Sequence, residues 1–298
     1  MPELPEVESA RRSLEHWLTD QRLTKVGGDT GRPLTATPAT YRRHLRHRRI
    51  GAAERRGKQL FLGLGPPDSG TSPHRGLHLH LGMTGRFVVT PAKAAPPRFS
   101  RLQLTRDDGW TLHFCDARRI GKAELVEAAR LLELDDARAL GPDPLLDTWS
   151  GAVLEKALAS SSRPVKVVLM DQARIAGIGN IQAAEALFRA RLSPWWPAQE
   201  LTGRQTQRLA RAVSTTLKTT LDQLESARTE RLTALERGDA EADAAPLYLT
   251  EGGSSSFLVY GRQEQPCPEC GKKLRLDRQD GRSTCWCPRC QEGPGPRA

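Results

Sequence analysis

The sequence predicts an α+β protein in which a β-rich N-terminal part, a helical middle part and a cysteine-rich end follow one another. Short runs of alternating apolar residues occupy residues 55–126, and helical patterns dominate residues 128–225. Five of the six cysteines lie in the last 32 of the 298 residues. Strands grouped before helices are typical of α+β proteins or of separate domains. The length also suffices for two domains.

An amphipathic helix is predicted to begin within a few residues of the N-terminus. Pro5 suits the first turn of a helix. Val7, Ala10, Leu14 and Leu18 then recur at helical spacing. The segment PELPE therefore lies at the head of a helix that has one apolar face.

Strands are predicted where leucines alternate with other residues, at 60–64 and at 77–81. Apolar residues also alternate at 102–104 and at 110–114, on either side of the turn sequence DDG at 107–109, which predicts a hairpin. The strands together fit either a β-sandwich or a β-barrel.

Loops are predicted at three places. The Pro/Gly break LGPDPL at 140–145 marks a candidate domain boundary, and GPPDSGTSPHRG at 65–76 is typical of a surface loop. The polar residues 226–256 follow an amphipathic helical pattern at 209–224, and their composition predicts a mobile loop or lid.

The charge favours a polyanionic partner. The formal net charge is +10 and the pI is about 9.7, which suits nucleic acid, although a merely basic protein is the alternative. Residues 41–58 hold seven arginines and one lysine against one glutamate, and we interpret them as the rim of a folded surface. The sequence contains no run of 18 apolar residues, so no membrane-spanning helix is expected. No secretory signal is expected either.

Two cysteine pairs predict a structural metal site. Cys267 and Cys270 form one C-x-x-C pair, and Cys287 and Cys290 form another after a gap of sixteen residues. This spacing fits one zinc ion held by four thiolates, with unligated thiols as the alternative. A closed four-thiolate site has no open position for catalysis. Clustered cysteines of this kind predict a reducing, intracellular compartment (the cytoplasm or nucleoid), and Cys285 is expected to fill the hairpin face.

The second residue is a candidate nucleophile. If Met1 is removed, Pro2 carries a free secondary amine, and an α-amine has a pKa near 8, against about 10.4 for lysine. A neutral amine can attack a sugar C1′ and form an iminium, while Glu3 beside it handles protons. The alternative is a simple turn that leads into the helix.

Two further segments are ambiguous on their own. Lys58 follows Gly57 at the entry to a predicted strand, and alone it is a surface charge. The turn GIGN at 177–180 precedes a helical segment. It can cradle a phosphate with its backbone N–H groups, or it can be a plain helix connection.

These motifs, taken in order, resemble the formamidopyrimidine-DNA glycosylase family, whose sister is the endonuclease VIII family. The resemblance spans almost the whole chain and rests on PELPEVES, RRGKQLFL, HLGMTG, DARRIG, LGPDPL, GIGN, VYGR and the cysteine pairs. Met83 with HLG ahead of it favours the formamidopyrimidine branch.

The resemblance implies a fold and its domain boundaries. We expect an N-terminal β-sandwich flanked by helices, then a helical domain with a helix–two-turns–helix motif, then a zinc finger β-hairpin, with DNA between the two halves. The expected segments are a catalytic domain at 1–135, the helical domain at 136–228, a lesion-capping loop at 229–256, the zinc finger at 257–291 and a disordered tail at 292–298.

The resemblance also implies a bifunctional glycosylase and AP lyase of base excision repair, which excises oxidised purines and cleaves the strand by β,δ-elimination. Pro2 matches the amine that forms a Schiff base with C1′. Glu3 matches the general acid/base, Lys58 a lysine at the lesion, and Glu6 a supporting carboxylate.

Further residues match the family's DNA contacts. The implied partner is double-stranded DNA that contains oxidised bases or abasic sites, bound by a monomer. Because the target base leaves the stack, side chains must fill the gap, and Met83, Arg119 and Ile120 match these, with Ile120 where phenylalanine is usual. The remaining implied DNA contacts are His80, Lys166, Asn180 and Arg282.

Some departures leave the lesion preference open. Ala117 replaces a usual proline, Gln182 replaces a usual tyrosine, and residues 226–256 do not match the common pattern of the capping loop. Oxidised guanine, formamidopyrimidines and hydantoins all stay candidate substrates. A non-catalytic DNA-binding protein and a zinc hydrolase are the alternatives, and the presence of Pro2 and Glu3 argues against the first. The four-thiolate spacing argues against the second.

Overall fold

The computed structural model describes residues 2–66, 73–91, 94–237 and 257–296. The chain forms two compact units, Met1–Arg138 with Leu221–Glu251, and Ala139–Thr220 with Gly252–Ala298. Half of the predicted loop at 65–76 lies outside the described residues.

The first unit contains eight strands and three complete helices within its described residues. The helices are α1 (Leu4–Leu18), α2 (Pro38–Leu45) and α3 (Asp135–Arg138). The strands are β1 (Leu23–Gly28), β2 (Ile50–Arg56), β3 (Gln59–Leu64), β4 (Gly76–His80), β5 (Gly85–Thr90), β6 (Ser100–Arg106), β7 (Thr111–Asp116) and β8 (Lys122–Val126).

The strands form two antiparallel sheets, which confirms the predicted β-sandwich and makes the barrel alternative wrong. One sheet has the order β1-β6-β7-β5 and the other has the order β2-β3-β4-β8. Leu62, Leu77 and Leu79 of the second sheet share one buried apolar cluster with Phe87 and Phe114 of the first. The alternating leucines thus face inward and make the core between the sheets.

Helix α1 forms as predicted and buries its apolar face. Pro5 lies in the first turn, and Glu3 is the N-cap residue. Leu4, Leu14 and Leu18 have no exposed surface, and the helix packs against β2 and β3. The predicted hairpin is also present, since β6 and β7 pair across a turn in which Gly109 has a φ of 91°. Glycine adopts that backbone conformation without steric cost.

The second unit carries the helical region and the cysteine module. Its helices are α4 (Gly151–Leu158), α5 (Val165–Leu169), α6 (Asn180–Arg189) and the first part of α7 (Gly203–Glu236), which continues into the first unit after residue 220. Strands β9 (Arg275–Gln279) and β10 (Arg282–Trp286) pair as an antiparallel hairpin. Cys285 packs in the apolar cluster beneath this hairpin, together with Val259 and Leu274. No helix in the described part of the chain is long and apolar enough to span a membrane.

The expectation of a loop from residue 226 onward is wrong for its first part, because α7 continues to Glu236. Alanine, arginine, glutamate and leucine dominate residues 226–236, and all are strong helix formers. Arg228 also pairs with Glu225 one turn earlier at 2.9 Å, a spacing that supports a helix. Residues 238–256 of the expected capping loop lie outside the described residues.

Two of the basic residues at 41–58 lie inside the protein rather than on its rim. Arg48 is buried, and its guanidinium donates to the carbonyls of Leu64 and His74. Arg55 is buried beside Glu8. The positive charge that this segment presents at the surface is therefore smaller than predicted, because these two arginines bond inside the protein.

The facing pair Gly63 and Gly76 provides a test of the packing between β3 and β4. A Cβ atom added at Gly76 would lie 2.1 Å from Cζ of the buried Phe61 ring. We expect Gly76→Ala to lower the free energy of unfolding by about 1–3 kcal/mol, because the core must shift to accept a methyl group. Urea unfolding followed by circular dichroism measures this change.

Gly63→Ala is the matched control, because its added Cβ would meet no atom closer than 3.7 Å. This variant should be neutral or more stable by about 0.5–1 kcal/mol, as expected when alanine replaces glycine in a strand. Equal losses in the two variants would contradict the packing described here.

Candidate active site

The head of α1 brings three predicted residues together in a buried position. Pro2, Glu3 and Glu6 all lie below the surface. The backbone N–H of Glu3 donates to Oε2 of Glu6 at 3.0 Å, as part of a capping box that closes the first turn. The two carboxyl side chains that fix the start of the helix therefore lie in the turn that directly follows Pro2 in the chain.

Burial and the neighbouring charge of Glu3 raise the pKa of Glu6 from 4.5 to about 7. With a pKa in that range, the Glu6 carboxyl group exchanges its proton near neutral pH rather than staying fully ionised. Such a group can give and accept a proton at a reacting centre, which is the chemistry expected of a general acid/base.

A buried arginine ties α1 to the turn that carries Lys58. Nε of Arg55 donates to Oε2 of Glu8 at 2.9 Å, and its Nη1 donates to the carbonyl of Gly57 at 3.1 Å. Gly57 has a φ of 54°, so the backbone reverses immediately before Lys58. Lys58 is half-buried in this turn between β2 and β3. Its position therefore depends on an arginine that sequence reasoning did not identify.

His80 supports the turn that follows β4. Its Nδ1 accepts the backbone N–H of Gly82 at 3.0 Å, which places any proton of the neutral ring on Nε2. Burial, followed by the positive charge of Lys58, lowers the pKa of His80 to about 4. A neutral imidazole therefore fixes the backbone just ahead of Met83 and lies near Lys58.

An exposed apolar pair projects from two adjacent loops. Met83 is 42% exposed and Ile120 is 38% exposed, which is high for large apolar side chains. A Cβ atom added at Gly82 would lie 2.7 Å from the carbonyl oxygen of Ile120, so the two loops are in contact. Solvated apolar residues on touching loops are typical of a binding surface.

The arginine beside this pair is Arg118, whereas Arg119 is held elsewhere. Nη1 of Arg118 lies 3.5 Å from Sδ of Met83, and Arg118 is exposed. Arg119 instead pairs with Asp29 and donates to the carbonyls of Thr30 and Arg32 at 3.0 and 2.9 Å. The structure therefore places Arg118 beside Met83, whereas the guanidinium of Arg119 is bonded to the segment that follows β1.

Asp116, which sequence reasoning missed, joins the two loops. Its carboxylate is fully buried and accepts the Thr84 hydroxyl, the backbone N–H of Arg118 at 3.2 Å and that of Gly121 at 2.8 Å. The signal available in the sequence is an acidic residue at the end of an alternating strand, separated by one alanine from two arginines. Nothing in that pattern shows that its carboxylate reaches the loop of Met83, because this contact spans 32 residues.

The second unit brings Lys166 and Asn180 to the zinc hairpin. Nζ of Lys166 donates to the Ser283 carbonyl and to the Thr284 hydroxyl, each at 2.8 Å, and the residue has no exposed surface. The ammonium group of Lys166 is therefore buried in this structure and is not accessible to the phosphate that it was predicted to contact. The side-chain nitrogen of Asn180 donates to the Ser283 hydroxyl at 3.2 Å, next to the exposed Arg282.

The four predicted cysteines converge. Their Sγ atoms lie within 4.8 Å of one another, with 3.8 Å between Cys267 and Cys290 and 3.6 Å between Cys270 and Cys287. A tetrahedral zinc site with Zn–S bonds of about 2.3 Å places its sulfur atoms about 3.8 Å apart, whereas a disulfide needs about 2.0 Å. The cluster fits one structural zinc ion, and a four-thiolate site has no open coordination position.

Replacing one cysteine tests the zinc site. Cys267→Ser should abolish stoichiometric zinc binding, measured by elemental analysis of the purified protein, because structural zinc contributes about 10–16 kcal/mol of apparent binding free energy. Cys285→Ser is the control, since Cys285 is equally buried beside the cluster and is not among the four clustered sulfurs. Zinc retained by the first variant, or lost by the second, would contradict the assignment.

Known protein families match the chain along most of its length. Residues 1–123 match the formamidopyrimidine-DNA glycosylase N-terminal domain, residues 140–231 its H2TH domain, and residues 264–293 a zinc finger found in FPG and IleRS. The formamidopyrimidine-DNA glycosylase of Thermus thermophilus is 38% identical, over 99% of this chain and 100% of its own.

Solved structures agree with the sequence matches. The crystal structure of the MutM (Fpg) protein from Thermus thermophilus has a TM-score of 0.73 and 36% identity, covering 98% of this chain and 100% of that one. The Lactococcus lactis Fpg in complex with abasic-site DNA has a TM-score of 0.80 at 24% identity, with 98% and 100% covered. The chain belongs to the formamidopyrimidine-DNA glycosylase family, a family of DNA glycosylases.

Proposed function

We propose that this protein is a bifunctional DNA glycosylase and AP lyase that excises oxidised purines by covalent catalysis through Pro2. The observation that carries the proposal is the buried group of Pro2, Glu3 and Glu6 at the head of α1, in a chain of this family. The substrate class follows from the relatives, which are formamidopyrimidine-DNA glycosylases.

Pro2 supplies the nucleophile once Met1 is removed. Its secondary amine has an ordinary pKa near 8, and the positive end of the α1 dipole lowers that pKa further. A larger fraction of the amine is then neutral at pH 7 than for any unperturbed lysine. The neutral nitrogen attacks C1′ of the damaged nucleotide, the N-glycosidic bond breaks, and an iminium joins Pro2 to the opened sugar.

Glu3 and Glu6 handle the protons of these steps. A carboxylic acid donates a proton toward the departing base, which leaves as a neutral group, and the resulting carboxylate can later accept a proton. Abstraction of a C2′ proton from the iminium then drives loss of the 3′ phosphate, and a second elimination releases the 5′ phosphate. The raised pKa of Glu6 helps to keep this proton available near neutral pH.

The DNA contacts come from both units. Lys58 reaches the lesion from the turn fixed by Arg55, and Asn180 with Arg282 contacts phosphates. Met83 and Ile120 enter the space vacated by the flipped nucleotide, as apolar side chains do when they wedge between bases. Related Fpg from Lactococcus lactis has been crystallised with abasic-site DNA, which supports the same class of partner here.

Borohydride trapping tests the role of Pro2. Mixed with lesion-containing duplex DNA and borohydride, the protein should form a stable covalent adduct, because an iminium is reducible. A variant that retains an N-terminal tag should form none, since an amide nitrogen is not nucleophilic. Denaturing gel electrophoresis with labelled DNA measures the adduct.

The variant Glu3→Gln separates base removal from strand cleavage. Glu3→Gln should lose base removal by about 100-fold or more, as general acid–base catalysis typically contributes 10²–10⁴-fold. It should keep more activity on a preformed abasic site, where the glycosidic bond is already broken. Full trapping by the tagged protein would assign the nucleophile to Lys58 or another lysine and refute the proposal.

Arg118, rather than Arg119, should fill the gap beside Met83 and face the unpaired base. Arg118→Ala is expected to slow single-turnover cleavage about tenfold, equivalent to about 1.4 kcal/mol of transition-state stabilisation, and to weaken the preference for the opposite base. The measurement is cleavage of one lesion opposite each of the four bases.

Arg119→Ala is the matched variant, because the two arginines are adjacent and only one contacts Met83. It should lower stability through loss of the contact with Asp29 and leave the opposite-base preference intact. Loss of preference in Arg119→Ala alone would restore the assignment predicted from the sequence.

A further inference from the structure

A basic cleft lies between α6, the first part of α7 and the zinc module, within the second unit. Its volume is about 420 Å³. Four arginines line it, and its apolar lining is the half-buried Leu258, with Phe188 and Ala212 buried behind the surface. The arginines are Arg189, Arg191, Arg208 and Arg211.

The positive charge of this cleft is not balanced within the described part of the chain. Arg191 pairs with Glu269 at 3.6 Å, and both are exposed. Arg189, Arg208 and Arg211 form no ion pair with any described residue, and all three are exposed. Four guanidinium groups around one concave surface repel one another in the free protein, and an anionic ligand would relieve that repulsion.

The walls of the cleft are fixed before any ligand binds. Glu185 of α6 accepts the backbone N–H groups of Leu258, Val259 and Tyr260 at 2.8–2.9 Å, so the chain that contributes Leu258 is held in place. Cys290, one of the four clustered cysteines, also lines the cleft, and it packs against the same apolar cluster as Leu258. A preformed concave site with some apolar surface and a few placed charges is typical of a ligand-binding site.

The cleft is separate from the proposed phosphate contacts. Asn180 is the first residue of α6 and Arg189 is the last, so the two ends of this helix lie about 14 Å apart. Arg282 begins β10 beside Asn180, whereas Cys290 follows the far end of the same strand. Neither Asn180 nor Arg282 lines the cleft.

We propose that this cleft docks an acidic peptide segment of a partner protein, with carboxylates on the arginines and one apolar side chain against Leu258. The apolar surface of Leu258 among the arginines favours a peptide over duplex DNA, because a phosphate backbone presents no apolar group to it. Guanidinium groups bind carboxylates with paired hydrogen bonds, which suits side chains of aspartate or glutamate.

The experiment uses the full chain and a fluorescein-labelled peptide in which a run of aspartates precedes a phenylalanine. Fluorescence anisotropy should show saturable binding that weakens as salt rises. A peptide with asparagine in place of aspartate should bind at least tenfold more weakly, and so should a peptide with the phenylalanine replaced by glycine.

Two double variants of equal charge locate the site. Arg208→Glu with Arg211→Glu should weaken peptide binding at least tenfold, because both residues line the cleft. Arg204→Glu with Lys218→Glu is the control, since both residues are exposed on α7 and neither lines the cleft. Circular dichroism establishes that both variants are folded.

Three results would overturn the proposal. The first is equal loss of peptide binding in the two double variants, which would indicate a diffuse charge effect. The second is unchanged binding when the phenylalanine of the peptide is replaced by glycine. The third is a loss of duplex DNA affinity, in the cleft variant alone, as large as its loss of peptide affinity, which would assign the cleft to DNA. Base excision in the cleft variant should be unchanged, so failure of this proposal is distinguishable from failure of the proposed catalytic function.

Discussion

The buried ion pair between Glu8 and Arg55 connects the N-terminal helix to the β-sandwich, and the arrangement of the candidate site depends on it. Arg55 is fully buried, and its guanidinium also holds the carbonyl of Gly57 ahead of Lys58. Burial alone would raise the pKa of Glu8, but hydrogen bonds and charges from Arg11 and Arg55 outweigh it and lower that pKa to about 2. Removing one partner of such a pair strands a buried charge, which typically costs about 3–5 kcal/mol.

The same ion pair joins the two elements that carry Pro2 and Lys58. Pro2 is positioned by the first turn of α1, Lys58 by the turn after β2, and Arg55 bonds to both elements. Arg12 and Ser9 extend the connection to Glu225 of α7, at 3.2 and 3.0 Å. Pro2, the proposed nucleophile, and Lys58 thus lie on elements that are fixed by the interior of the first unit, which limits their freedom.

Elsewhere the protein exposes groups that most folds would bury. Met83 and Ile120 face solvent on loops held together by the carboxylate of Asp116, while Arg119 is bonded back to Asp29. The loops therefore keep a defined shape although their tips are solvated. In the second unit the buried ammonium of Lys166 bonds to the zinc hairpin at Ser283 and Thr284, so α5 and the hairpin support each other.

The sequence by itself determined the elements whose physics is local or periodic. The period of the leucines predicted the sandwich strands, Pro5 and the apolar spacing predicted α1, and the spacing of the four cysteines predicted the metal cluster. Each of these signals lies within a short stretch of chain and reflects one face of a helix, a strand or a knuckle. The family motifs predict roles for Pro2, Glu3 and Lys58, and these roles stay predictions.

Only the tertiary structure decided which side chains meet across long separations. Sequence spacing could not distinguish Arg118 from Arg119, because their partners Met83 and Asp29 lie 35 and 90 residues away. It could not show that Lys166 is buried, that Arg55 is internal, or that α7 continues through residues 226–236, where the polar composition alone predicts a loop. These outcomes depend on the packing of distant segments, and packing, unlike periodicity, leaves no pattern in the neighbouring residues.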